Sequence, residues 1–135
     1  MNFKTIGEIK NKLKSMVFTE QFDCIVAIAN GGIFPAQLLA EQLGLKVELL
    51  QINYRDASHT PVRIKPELLS TIDFDVKGKN ILLVDDRVKT GATLQYARQL
   101  LSEAKVLKTF ALNGAADYPL FDEACFKVVQ ETTQL

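Results

Sequence analysis

Two apolar runs, CIVAIA at 24–29 and ILLV within NILLVD at 80–85, limit what this chain can fold into, because the same order of signals follows each. A run this short, and partly β-branched, is what a strand covered on both faces looks like. After the first come Asn30-Gly31-Gly32 and then FPAQLLAEQL (34–43), with Pro35 in the first turn, where its missing N–H is harmless, and Gly44 at the expected stop. A second strand, KVELLQI (46–52), follows. The order then repeats as NILLVD, a turn, the helical TLQYARQLLSEA (93–104) and the strand VLKTFAL (106–112). Two βαβ units in 135 residues predict an α/β fold, with a mostly parallel sheet flanked by helices.

Outside these units the signals thin out. Ile6, Ile9, Leu13 and Met16 recur at three- and four-residue spacing with lysines between them, which predicts an amphipathic helix over about 5–18. FKVV (126–129) reads as one last strand. No repeat, low-complexity tract or linker is evident, so residues 1–135 are expected to form a single domain. Residues 53–79, between the units, are polar, contain Pro61 and Pro66 and show no sustained period. Such a connection exceeds the ~12–15 residues beyond which a loop is usually a functional flap or disordered. PVRIK (61–65) alternates and fits a short hairpin within it.

The charge balance narrows the partners. Sixteen basic residues offset sixteen acidic ones, so nothing global selects a nucleic acid or a membrane surface, and any anion site has to be built locally. Cys24 and Cys125 belong to no CxxC pair or Cys/His cluster and read as core thiols. His59 has no Cys or carboxylate at metal spacing and reads as a loop residue. The N-terminus lacks the continuous apolar segment of a signal peptide, and no stretch reaches the ~20 apolar residues needed to span a bilayer. A cytoplasmic setting is expected.

Chemistry concentrates in ILLVDDRVKTGAT, residues 81–93. Open parallel sheets bind ligands beyond the carboxyl ends of their strands, and Asp85 and Asp86 stand at such an end. Gly91 permits a tight turn, and backbone N–H groups at the following helix start, with the hydroxyls of Thr90 and Thr93, form a cradle suited to phosphate. Ionised carboxylates are acceptors only, so beside a phosphate they suit sugar hydroxyls. Taken alone, each feature is equally an ordinary helix cap or turn; together they describe a ribose 5-phosphate pocket.

The same thirteen residues resemble the phosphoribosyl pyrophosphate (PRPP) signature of the type I phosphoribosyltransferases: four apolar positions, two acids, a variable triplet, then Thr-Gly-x-Thr. VAIANGGIFPAQLLAEQLGL (26–45) is similar to the family's pyrophosphate loop and its helix, and DVKGKNILLVDD (75–86) to the approach in short hypoxanthine/xanthine-guanine members. The resemblance implies a type I phosphoribosyltransferase-like fold with a flexible flap and a reduced C-terminal hood. It implies Mg²⁺-dependent transfer of the 5-phosphoribosyl group from PRPP to a purine-like nucleobase, with loss of pyrophosphate, in a homodimer. A non-catalytic PRPP or nucleotide sensor on the same fold is the alternative.

By the same resemblance, Asp85 and Asp86 hold the ribose hydroxyls and reach the metal indirectly, through those hydroxyls or water. Lys89, Thr90, Gly91, Ala92 and Thr93 wrap the 5-phosphate. Asn30 and Gly31 meet the pyrophosphate, in a loop where a strained or cis peptide is common, and Tyr54 and Arg55 open the flap. Arg55, Arg63 and Lys65 supply flap cations. Three positions depart from the pattern. Lys89 stands where purine-type relatives carry an acid that reads the base, Asn30 replaces a cation before Gly-Gly, and Ala115 and Ala116 fall near an expected base-pocket lysine. Tyr118 and Phe121 are the candidate base-stacking rings.

Overall fold

The computed structural model describes residues 2–53, 67–68, 71–124 and 126–129. Its elements, in chain order, are β1 (Asn2–Thr5), α1 (Ile6–Ser15), β2 (Cys24–Ala29), α2 (Ile33–Leu43), β3 (Val47–Asn53), β4 (Glu67–Leu68), β5 (Asn80–Val88), α3 (Ala92–Leu100), β6 (Val106–Gly114), β7 (Tyr118–Phe121) and β8 (Phe126–Val129). A six-stranded sheet runs β4-β3-β2-β5-β6-β7, parallel throughout except for the β3–β4 pair. The expected mostly parallel sheet is present.

The strands at its centre read as continuous apolar runs because helices cover both faces. Ile25, Val26 and Ala27 of β2 and Ile81 through Val84 of β5 are 0% exposed. On one face Leu82, Val84 and Ala27 pack with Ile9 and Leu13 of α1 and with Ala36 and Leu39 of α2. On the other, Val26, Ile28, Ile81 and Leu83 meet Leu94, Ala97 and Leu101 from α3 and the turn after it. At the amino ends Asp23 ties β2 to β5: its N–H donates to the Asn80 carbonyl at 2.7 Å, and its carboxylate accepts the Asn80 N–H at 2.7 Å.

This strand order fixes where a ligand can sit. From β2 the chain crosses by α2 to β3, and from β5 it crosses by α3 to β6, in the opposite direction along the sheet. The carboxyl ends of β2 and β5 therefore flank the topological switch point, where the diverging connections leave a crevice.

The sheet's far edge is built by an abrupt reversal. β7 pairs parallel with β6 in the register Phe110↔Tyr118, although only residues 115–117 separate the two strands. The four steps from Gly114 to Tyr118 must retrace four residues of β6, about 13 Å at ~3.3 Å per residue, which a nearly extended chain just spans. Gly114 makes the turn possible: its φ is 119°, and a Cβ there would lie 2.3 Å from the Val88 carbonyl oxygen. Asp117 anchors the return. Its carboxylate accepts from the Thr109 N–H (2.9 Å), the Thr109 hydroxyl (3.1 Å) and Arg98 (2.9 Å).

Several expectations are corrected. A strand, β1, precedes the first helix and pairs parallel with β8 in a separate two-stranded sheet, and α1 ends at Ser15 rather than near residue 18. The helix expected over 93–104 ends at Leu100. Within 53–79, residue 53 closes β3, β4 adds an antiparallel edge, and Ile72, Phe74 and Val76 pack against the α3-side core. Their alternation with polar residues is a strand-like signal that the polarity of the segment obscures. Cys24 is only partly buried, at the amino end of β2, while Cys125, His59 and PVRIK lie outside the described residues. Among the described residues no helix is long and apolar enough to cross a membrane.

Candidate functional site at the sheet switch point

The polar end of β5 follows directly from its burial. Four consecutive core residues carry the strand to the switch point, and the next two side chains, Asp85 and Asp86, emerge where the helices no longer cover it. The Asp86 N–H donates to Asp85 Oδ1 at 2.8 Å, which favours the ionised form. Burial outweighs this bond and, with the neighbouring Asp86 charge, pushes the Asp85 carboxyl up to about 6. Burial raises Asp86 as well, opposed by the nearby Arg87 charge. Both carboxylates are short of solvation, so an incoming set of hydroxyl donors or a cation has an unmet demand to satisfy.

The loop after β2 lies against this pair. Its Ala29–Asn30 peptide is cis. A Cβ added to Gly31 would stand 3.0 Å from Asp86 Cβ and 3.3 Å from its Oδ2, so only glycine leaves that carboxylate its place. At Gly32 the added atom would lie 2.5 Å from the Val84 carbonyl oxygen and 2.7 Å from that of Ile28. The Gly-Gly pair thus lets the loop sit directly on the ends of β2 and β5.

The turn after β5 closes the other side. Gly91 adopts φ 83° as the N-cap of α3, and the Thr90 hydroxyl accepts the Ala92 N–H at 3.2 Å. The N-cap residues of α2 and α3, Gly32 and Gly91, have no side chain to cap with, whereas α1 has a full capping box between Thr5 and Glu8. The Ile33 N–H already bonds the Asn30 carbonyl, the Ala92 N–H bonds Thr90 and Pro35 has none, which leaves the first-turn N–H groups of Phe34, Thr93 and Leu94 to receive phosphate oxygens. Asp85, Asp86, Asn30, Gly31, Thr90, Gly91, Ala92 and Thr93 are thereby gathered at the ends of two adjacent strands.

Other sequence-predicted residues fare differently. Tyr54, Arg55, Arg63 and Lys65 lie outside the described residues. Tyr118 packs on Phe18 with ring centroids 4.8 Å apart, and its hydroxyl bonds Glu20 and accepts the Thr19 N–H at 3.3 Å. Phe121 is 8% exposed, stacks on Phe126 at 5.3 Å and lies beneath the ammonium groups of Lys4 and Lys12. Both rings are therefore engaged in packing and not turned toward an open cavity. Lys89 lines a cavity of about 480 Å³ with Arg87, Asn113, Asp122, Glu123 and Phe126, next to the phosphate-suited turn. Sequence reasoning did not single out Arg87 or Phe126; the available signal was the variable triplet of the signature for one, and an aromatic opening the last strand for the other.

Comparisons with known proteins agree with this geometry. A family model described as a phosphoribosyl transferase domain matches residues 3–134. A xanthine-guanine phosphoribosyltransferase from Idiomarina loihiensis is 30% identical over 114 residues, covering 84% of this chain and 68% of that protein. A ribose-phosphate pyrophosphokinase from Pyrococcus furiosus is 32% identical over 127 residues, and the match spans 90% of this chain but 42% of that protein. Among solved structures, a purine phosphoribosyltransferase from Pyrococcus horikoshii superposes with a TM-score of 0.77 at 22% identity, covering 98% of this chain and 95% of that one.

Proposed function

The chain belongs to the phosphoribosyltransferase family, and from that premise we propose that it transfers the 5-phosphoribosyl group of PRPP to a purine-like nucleobase and releases pyrophosphate. The observation that carries this reading is the meeting, at one switch point, of two part-buried acids with two helix starts whose N-cap residue is glycine. That is the arrangement a sugar with a phosphate on each side requires.

Each group then has a task. Asp85 and Asp86 accept hydrogen bonds from the ribose 2- and 3-hydroxyls, and the 89–93 turn holds the 5-phosphate against the start of α3. The loop at Asn30 and Gly31 receives the pyrophosphate, and Tyr54 and Arg55, outside the described residues, are assigned to the same group. Asp85 and Asp86 would reach Mg²⁺ indirectly, through the ribose hydroxyls or water, a mode that suits an ion that keeps several waters. Among the described residues no three His, Cys, Asp or Glu side chains converge as a metal cage. When bound, the ion neutralises charge on the departing pyrophosphate.

The bond from the anomeric carbon to pyrophosphate breaks with its electron pair leaving on oxygen, and a base nitrogen forms the new bond. The sugar passes through a state like an oxocarbenium ion, as in glycoside hydrolysis, so exclusion of water is the protein's main protective task. The proton shed by the base has a carboxylate acceptor in Asp122, along the cavity beside Lys89. A homodimer in the cytoplasm belongs to the same proposal. Incubation with PRPP, Mg²⁺ and a panel of bases tests it: pyrophosphate and a nucleotide are expected together, and tight PRPP binding without turnover of any base would favour a sensor.

A further inference from the structure

Resting on the phosphoribosyl-transfer reading, we propose that the acceptor taken by the Arg87–Lys89 cavity carries a full negative charge on the ring edge facing those two residues, making the substrate an anionic, oxo-rich heterocycle. The cavity, about 480 Å³, opens beside the turn assigned to the 5-phosphate, so its contents lie next to the anomeric carbon. One wall is aromatic: Phe126 is 4% exposed, and the Arg87 guanidinium stands over its ring at 5.9 Å. With Phe126 buried against Phe121, the face that a flat heterocycle can meet is the guanidinium plane.

Polar chemistry then selects which heterocycle. Asn113, the one neutral amide in the lining, is already committed on both atoms, donating to the Glu123 carbonyl at 2.9 Å and accepting the Glu123 N–H at 2.9 Å. The Glu123 carboxylate pairs with Lys4 at 3.1 Å. Arg87 and Lys89 form no ion pair among the described residues, and both side chains are donors only. With Asp122 as the remaining carboxylate, the lining has one cation in surplus. A ligand edge facing Arg87 and Lys89 must supply acceptors, while Asp122 can take one ring N–H. A neutral base such as adenine, with an amino donor on its edge, leaves the surplus cation to water; a ring anion or ring carboxylate meets it.

Calorimetric titration with three nucleoside 5′-monophosphates separates the possibilities, because all share the sugar phosphate and differ only in base. Xanthosine monophosphate probes a ring that ionises near neutral pH, orotidine monophosphate a ring carboxylate, and inosine monophosphate a neutral ring. At least one anionic nucleotide is expected to bind tenfold or more tightly than inosine monophosphate, and the tighter one identifies the source of charge. Arg87→Met, and independently Lys89→Met, should each cut that preference at least fivefold. Inosine monophosphate binding as tightly as both anionic nucleotides would overturn the proposal, as would a preference unaltered in both variants. If none of the three binds, the ribose-phosphate reading itself fails and this inference falls with it.

Discussion

Replacing Asp85 with asparagine should make the ligand-free protein more stable while weakening its hold on PRPP. The carboxyl is raised from 3.8 to about 6, chiefly by burial, so the folded state resists its ionisation more than the unfolded chain does. At 1.36 kcal/mol per tenfold change in proton affinity, this corresponds to about 3 kcal/mol of lost stability once the group is fully ionised. The sign follows from proton counting. Between about pH 4 and 6 the folded protein binds more protons than the unfolded, so stability from this group is present at low pH and is lost as pH rises through 6. About half of the penalty, roughly 1.5 kcal/mol, is already present at pH 5.

Asparagine keeps an oxygen to accept the Asp86 N–H and removes the charge. In urea denaturation, Asp85→Asn should exceed the parent in stability by about 1–3 kcal/mol at pH 8, with the difference at pH 5 about half as large. PRPP affinity, measured on the same protein at pH 8, should fall at least tenfold, the loss of about one charge-assisted hydrogen bond at ~1.5 kcal/mol or more. A variant less stable than the parent by the same amount at both pH values would refute the reasoning, because the carboxylate would then be a net stabilising group.

The same ionisation predicts that PRPP binding at pH 6 releases about half a proton per site, read from the buffer dependence of the binding enthalpy; no buffer dependence would leave Asp85 out of the site. Gly31→Ala should fold but lose PRPP affinity, because its methyl displaces Asp86, a side chain, whereas Gly32→Ala should lose about 3 kcal/mol or more of stability, because its methyl meets backbone carbonyls at 2.5 and 2.7 Å. Denaturation and PRPP titration of the two variants check the contrast. Gly114→Ala should be similarly destabilising through its 2.3 Å approach to the Val88 oxygen and its φ of 119°. Asp117→Asn should loosen β7. Burial alone would raise that carboxyl, but the Thr109 N–H and hydroxyl, with Arg98 and Lys108, outweigh it and hold the group below its ordinary value, so this contribution is lost as pH falls through the folded value. Acid unfolding should therefore begin at higher pH in a Thr109→Val background.

What could be read from sequence was what is contiguous in sequence. The 24–29 and 80–85 runs announce buried strands by composition, and the acids and the Thr-Gly turn lie within nine residues of one another at the end of one of them. The rest depends on partners that only folding brings close. Tyr118 looked available for stacking because its partners, Glu20 and Phe18, are about a hundred residues away in the chain. β1 and β8 are four-residue strands at opposite ends, too short for any period to show. The need for glycine at 114 arises from Val88, on a neighbouring strand. Arg87 occupies a variable position, so its significance appears only when Phe126 and Lys89 are seen to border the same cavity.

The placement of two acids at the end of a core strand now has a physical account. An acid on an exposed loop would be well hydrated and would gain little from a sugar hydroxyl, since the new bond only replaces one to water. At the end of β5, with Val84 fully buried before them, the acids have lost much of that hydration, and the fold meets the cost through the cores on either side of the sheet. In the proposed reading, the sugar hydroxyls supply what burial removed. The two phosphate-suited loops share this arrangement, since Gly31 rests against Asp86 while the turn beginning at Lys89 continues from the same strand. A shift of β5 by a fraction of an ångström would therefore disturb both loops at once, and the contacts around Gly31 and Gly32 leave no room for a methyl group there.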